Sequence, residues 1–207
     1  MNHAVISNCC IIILAAGGAS RMGEPKLLLP FRGSSLLENA INAAKDSGMA
    51  NILLVSGRWH ESIEKIAARK EIVSVTNENW KNGISSSIRK GLNHALSTWP
   101  GTDGVLYMVA DQPFVTGQLL AEIKDAQASS GLPAVGSGYG GTVGTPAIFH
   151  QSLFEEIQHL SGDHGARKIL QNHKDQIGIV PFTAGETDID TPADYVALVN
   201  AGKKKSS

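Results

Sequence analysis

Residues 14–26 read LAAGGASRMGEPK and follow directly on the apolar run CCIIIL. Gly17, Gly18 and Gly23 leave backbone N–H groups uncovered, and Arg21 and Lys26 place two cations in the same short segment. Uncovered amides and fixed positive charge at the end of a buried strand suit a polyphosphate chain. A glycine-rich turn that merely joins two elements is the competing reading. Arg21 and Lys26 are odd choices for a plain connector, and Pro25 stiffens the approach to Lys26, so the phosphate reading uses more of the residues.

Register excludes two familiar phosphate loops. A dinucleotide fingerprint G-x-G-x-x-G fails because Ala19 and Met22 stand where a start at Gly17 needs glycine, and Ser20 fails a start at Gly18. Gly18 and Gly23 have the outer spacing of G-x-x-x-x-G-K-[ST], but Glu24 and Pro25 follow in place of the lysine and hydroxyl.

Acidic residues after apolar runs form the second group. VLYMVADQP puts Asp111 just past the carboxyl end of a run that reads as a buried strand, where open α/β sheets bind ligands, and Pro113 then turns the chain away. TDIDTPADY carries Asp188, Asp190 and Asp194. Thr191 followed by Pro192 reads as a helix cap and first turn, and Asp188 and Asp194 read as part of that local capping. In NENWKNGISSSIRKGL, Asn79, Gly83 and the serines sit where a helix begins and could be capping groups. Trp80 could be core. The seven histidines show no zinc spacing with cysteine or with one another, and no Ser/His/Asp or Cys/His nucleophile arrangement stands out.

The elements that must hold these groups follow from periodicity. CCIIILA reads as strand and SSLLENAINAAKDSG as helix, with Ser35 and Glu38 spaced as a capping box and Gly48 as the stop. NILLVSG, EIVSVTN, GVLYMVAD and LPAVGSG read as strands; WHESIEKIAARK, ISSSIRKGLNHALSTW and TGQLLAEIKDAQASS read as the helices between them. Alternating strands and helices imply βαβ units and a mainly parallel sheet, hence a three-layer α/β/α, Rossmann-like fold. Later the alternation loosens: TPAIFH and IGIVPF look like strands, and SLFEEIQHL, HGARKILQNH and TPADYVALVNAG look like helices. With no internal repeat or linker-like shift, 1–207 is expected to be one domain ending in a short basic tail at about 202–207.

At 207 residues and a formal net charge of −1, the chain can bury a real core and is no nucleic-acid-coating protein, which needs concentrated Lys and Arg. Cys9 and Cys10, the only cysteines, are adjacent and make no disulfide framework, which suggests a reducing, cytoplasmic setting. The apolar run near the N-terminus has no basic segment before it and is too short to span a bilayer.

The pattern LAAGxxxRMGxxK after a first strand resembles the nucleotidyltransferase family that includes the molybdopterin guanylyl- and cytidylyltransferases. ADQP, GTPAIF and DIDTP follow in that family's order, so the resemblance covers nearly the whole chain. It implies that Leu14, Ala15, Ala16, Gly17, Arg21 and Lys26 wrap a nucleoside triphosphate, that Gly83 and Ser87 read the base, and that Asp111 and Asp190 hold Mg²⁺ against the phosphates. Arg21, Lys26 and Asp111 would then be the catalytic group. Many family members have Gly or Ser where this chain has Ala19. LAAG, with Ala16, resembles the cytidylyl branch more than the guanylyl branch, which implies CTP. GYGGTVGTPAIFH and SGDHGARKIL resemble the segments that cradle the acceptor, which implies Gly144, Thr145 and Arg167 as its binders and a molybdopterin-type acceptor. Transient contact with a molybdoenzyme or its chaperone follows from the same resemblance. A sugar-phosphate or other phosphorylated acceptor, and a maturation factor that binds a nucleotide without turning it over, are the alternatives.

Overall fold

The computed structural model describes residues 5–17, 25–187, 189 and 191–203. Arg21, Asp188 and Asp190 lie outside the described residues, as do residues 204–207 of the expected tail.

Strand β1 (Cys9–Leu14) is buried along its whole length. It reads as a continuous apolar run because both of its faces are covered. Ile11 and Ile13 join a core with Leu37, Ile41, Ile63, Leu120 and Ile123, while Ile12 and Leu14 face a second core with Ile88, Leu92, Ile157 and Leu170. The period-2 alternation of one strand thus feeds two helical layers. Burial also pushes the Cys9 thiol up to about 12 and raises Cys10 further, so both cysteines serve as small apolar core residues.

A short antiparallel hairpin, β2 (Pro30–Phe31) and β3 (Ser34–Ser35), leads into α1 (Leu36–Asp46). The hairpin is an addition to the elements expected from the sequence. The capping box forms as its spacing implied: Glu38 N–H donates to Ser35 Oγ at 3.2 Å, and Ser35 N–H donates to Glu38 Oε2 at 3.0 Å. Gly48, with φ 76°, ends the helix region in a conformation that glycine adopts readily.

Then follow β4 (Asn51–Ser56), α2 (His60–Arg69), β5 (Val73–Thr76), α3 (Ile84–Thr98), β6 (Gly104–Val109), α4 (Gly117–Ser130), β7 (Ala134–Tyr139) and β8 (Thr142–His150). The chain closes with α5 (Phe154–Gln158), α6 (Arg167–Asn172), β9 (Ile177–Pro181) and α7 (Pro192–Lys203). The seven-stranded sheet has the order β5-β4-β1-β6-β8-β7-β9. Only β8 runs against its neighbours, so the sheet is mainly parallel and the fold is Rossmann-like. GYGGT is the β7–β8 hairpin turn: Tyr139 pairs with Thr142, and Gly140 and Gly141 both have positive φ, as tight two-residue turns demand. Among the described residues no helix is long and apolar enough to cross a membrane.

Candidate functional site

From β1 the chain moves out through β4 to β5, then returns to the other side of β1 as β6. The strand order therefore reverses between β1 and β6, and the carboxyl ends of these two parallel strands splay open a crevice. Leu14 lies opposite Val109 in the register, Ala15 N–H donates to Val55 O at 2.9 Å, and Ala110 N–H donates to Leu14 O at 3.1 Å. A cavity of about 470 Å³ occupies this crevice. Leu14, Ala15, Ala16, Gly17, Lys26, Gly83, Ser87 and Asp111 all line it. Residues from the first glycine segment, a sheet end and a distant helix start are thus brought to one place. Gly57, after β4, lets the walls meet: a Cβ there would lie 2.6 Å from Ala16 O.

Lys26 sits at the start of a 3₁₀ turn over Lys26–Leu28 whose Leu27 is buried. Its Nζ donates to Asp111 Oδ2 and to Ile189 O, both at 2.7 Å. The lysine and aspartate side chains are 13% and 26% exposed, so this ion pair is partly shielded from water. One cation thereby ties the glycine segment, the end of β6 and the chain before α7 to a single point.

On the opposite wall, Gly83 precedes α3 with φ 87°. Two constraints require glycine there. The φ is unfavourable for other residues, and a Cβ would lie 2.3 Å from Gly162 O and 2.7 Å from Asp163 Oδ1. Ser85 N–H donates to Gly162 O at 3.3 Å, so the segment before α6 docks on the start of α3 and brings Asp163 to the cavity. Ser87 is held by Asn77, whose Nδ2 donates to Ser87 Oγ at 2.9 Å. Gly83 stands at the N-cap position without a side chain to cap the helix, and Ser86 Oγ donates back to Gly83 O. Trp80 packs on the core cluster, as the sequence allowed, and also lines the cavity.

Arg58, Trp59, Lys81 and Asp163, which the sequence motifs do not mark, also line the cavity. Arg58 stacks on the Trp59 ring at 5.0 Å, and Lys81 lies over the Trp80 ring at 5.5 Å. Adjacent basic–aromatic pairs, RW at 58–59 and WK at 80–81, were the available signal. Asp163 had none beyond its place in SGDHGAR, because its approach to Gly83 spans eighty residues of chain.

The three acceptor candidates do not line this cavity. Gly144 is buried in β8 beneath Tyr139, where a Cβ would lie 2.3 Å from the hydroxyl, and Thr145 is half-buried in the same strand. Arg167, the first residue of α6, is exposed. Thr191 and Asp194 form a reciprocal cap: Asp194 N–H donates to Thr191 Oγ1 at 3.2 Å, and Thr191 N–H donates to Asp194 Oδ2 at 2.8 Å. Asp194 is thereby a capping residue, as its spacing suggested. Among the described residues, no three His, Cys, Asp or Glu side chains cluster as a ready-made metal cage.

The model of the MobA-like NTP transferase domain matches residues 11–177 of this chain. The chain is 30% identical over 194 residues to the purine catabolism protein PucB of Bacillus subtilis, covering 89% of this chain and 92% of that protein. It is 28% identical over 197 residues to the nicotine blue oxidoreductase of Paenarthrobacter nicotinovorans, covering 91% and 95%. Rv0371c of Mycobacterium tuberculosis superposes with a TM-score of 0.83 at 26% identity, covering 95% of this chain and 99% of that one. A manganese complex of Rv0371c superposes with a TM-score of 0.78.

Proposed function

Since the chain belongs to the MobA-like NTP transferase family, we propose that it transfers CMP from CTP to the terminal phosphate of molybdopterin and releases pyrophosphate. The observation that carries this reading is the meeting of Lys26 and Asp111 at 2.7 Å in a cavity at the strand-order reversal, with Ser87 and Gly83 on the facing wall. One wall offers charge and backbone amides for phosphates. The other offers hydroxyl and backbone groups for a base.

Charge determines the chemistry. An oxygen of the acceptor phosphate attacks the α-phosphorus of CTP, a new P–O bond forms, and the bond to the bridging oxygen breaks with pyrophosphate as leaving group. The nucleophile is already anionic, so no strong base is required. Lys26, together with Arg21, neutralises the triphosphate, and the turn at Leu14–Gly17 aligns it for in-line attack. Asp111 and Asp190 would hold Mg²⁺, a hard cation that takes carboxylate and phosphate oxygens. The donor set suits that mode: Asp111 presents a carboxylate to the cavity, and its Oδ2 is within reach of a cation already, in the form of Lys26 Nζ. Bound there, the metal supplies neutralisation of the charge that develops on the phosphates. The manganese complex of Rv0371c supports a divalent cation in such a protein.

Ala16 favours CTP over GTP. Arg167, exposed at the start of α6, and the half-buried Thr145 would receive the acceptor beyond the cavity, whereas Gly144, buried beneath Tyr139, is a packing position in β8 and not an acceptor contact. The reaction is assigned to the cytoplasm, within one domain spanning 1–207. One relative is named an oxidoreductase, so the test must read the transfer itself. Pyrophosphate release is measured with each of the four nucleoside triphosphates, with and without molybdopterin. Release that requires both CTP and molybdopterin supports the reading. Release with a sugar phosphate instead moves the acceptor, and CTP binding without release with any acceptor leaves a nucleotide-binding maturation factor.

A further inference from the structure

A buried amide decides where one hydroxyl of α3 points. Asn77 follows β5, is 3% exposed, and donates from Nδ2 to Ser86 Oγ and Ser87 Oγ, both at 2.9 Å. Its orientation is forced, because Oδ1 accepts the backbone N–H of Asn79 at 3.1 Å and only the oxygen can accept. Ser86 directs its own proton to Asn79 O or Gly83 O, at 2.9 and 2.8 Å. Ser87 differs. Its oxygen receives the Asn77 N–H, no hydrogen bond within the described residues uses its proton, and it lines the cavity. A hydroxyl has one proton and two lone pairs; with a lone pair already engaged, rotation about Cβ–Oγ brings the proton toward the cavity.

We propose that Asn77 is a positioning residue that makes Ser87 an obligate hydrogen-bond donor into the cavity, selecting a base edge that presents an acceptor there, either a carbonyl oxygen or an unprotonated ring nitrogen. This rests on the reading that Ser87 faces the nucleobase. Asn77→Asp reverses the polarity while keeping the shape. The carboxylate can still accept from Asn79, but it now draws the Ser87 proton inward and leaves lone pairs facing the base acceptor.

Calorimetric titration with CTP and with inorganic triphosphate, which has no base, separates the contributions. Wild type, Ser87→Ala, Asn77→Asp and the double variant are compared. Ser87→Ala is expected to weaken CTP binding about 3- to 10-fold and to leave inorganic triphosphate unchanged. Asn77→Asp is expected to weaken CTP at least as much, after correction for any change with inorganic triphosphate, and to add less than about twofold in the Ser87→Ala background. A loss equally large without Ser87 overturns the inference while leaving the nucleotide reading intact. Unchanged CTP binding in Ser87→Ala overturns both the base-facing role of Ser87 and the inference built on it. Should Asn77→Asp fail to fold, Asn77→Leu removes the amide without burying a charge. It is expected to cost about threefold in CTP affinity, again only when Ser87 is present, and a loss that persists in the Ser87→Ala background contradicts the proposal.

Discussion

Lys26 Nζ lies 2.7 Å from Asp111 Oδ2, joining residues 85 positions apart across the reversal between β1 and β6. The contact gives the proposed metal-binding carboxylate a resident cation. Nucleotide phosphates and a metal ion would therefore each disturb the same pair, the phosphates by drawing the lysine and the metal by replacing it. Lys26→Met should weaken CTP binding about tenfold, in keeping with ~1–2 kcal/mol for a partly shielded charge contact. The same change should tighten binding of Mn²⁺ to the nucleotide-free protein, followed by the loss of free-ion signal in electron paramagnetic resonance. Weaker Mn²⁺ binding in the variant contradicts the competition.

Asp111→Asn keeps the side chain's size and removes its charge. Lys26 retains Ile189 O as a partner, so the loss of stability should stay near ~1 kcal/mol, a fall of a few degrees in Tm for a chain of this size. Transfer activity should fall by about 10³-fold if the carboxylate organises metal and phosphates. Calorimetry and turnover measured on the same preparation separate these effects.

Gly83→Ala forces a side chain into a left-handed backbone and against Gly162 O. The expected cost is about 2 kcal/mol, read from urea unfolding, together with weaker CTP binding as the segment carrying Asp163 is displaced. A variant as stable as wild type would show that the docking of that segment on α3 is easily rearranged.

How much of this was legible in the sequence depends on distance along the chain. The capping box of α1, the Thr191–Asp194 cap and the buried run of β1 are local patterns and form where their residues imply. Asp111 at the end of β6 was readable for the same reason: an apolar run followed by Asp-Gln-Pro marks a strand end. The antiparallel placement of β8 between β6 and β7 was not, since pairing depends on partners far away and TPAIFH carries no mark of direction. Nor was the approach of Asp163 to the cavity, which requires Gly83 and Gly162 to meet. The residues around the glycine segment were found by type, whereas the Lys26–Asp111 pair emerged only from the folded chain.

The capping box also sets an acid response. The Ser35 backbone N–H, the Ser35 hydroxyl and Ser34 hold the Glu38 carboxyl at about 2, below its ordinary value of 4.5. A carboxyl depressed in the folded state stabilises fully above about pH 4.5 and loses that contribution as pH falls toward 2. Glu38→Gln should therefore lower Tm by a few degrees at most at pH 7, with the gap to wild type narrowing below pH 4.5 and closing near pH 2. Thermal melts of both proteins across pH 2–7 give the comparison; a gap independent of pH contradicts the assigned cause.

The proposed reaction is attack at the α-phosphate of a nucleoside triphosphate held in the cavity between β1 and β6. CTP labelled at that phosphate, incubated with molybdopterin and magnesium, tests it directly. The label is expected to enter the acceptor in one-to-one ratio with pyrophosphate released, and both signals to vanish together in Asp111→Asn. Label that never leaves CTP with any acceptor, or transfer that persists undiminished in Asp111→Asn, would contradict it.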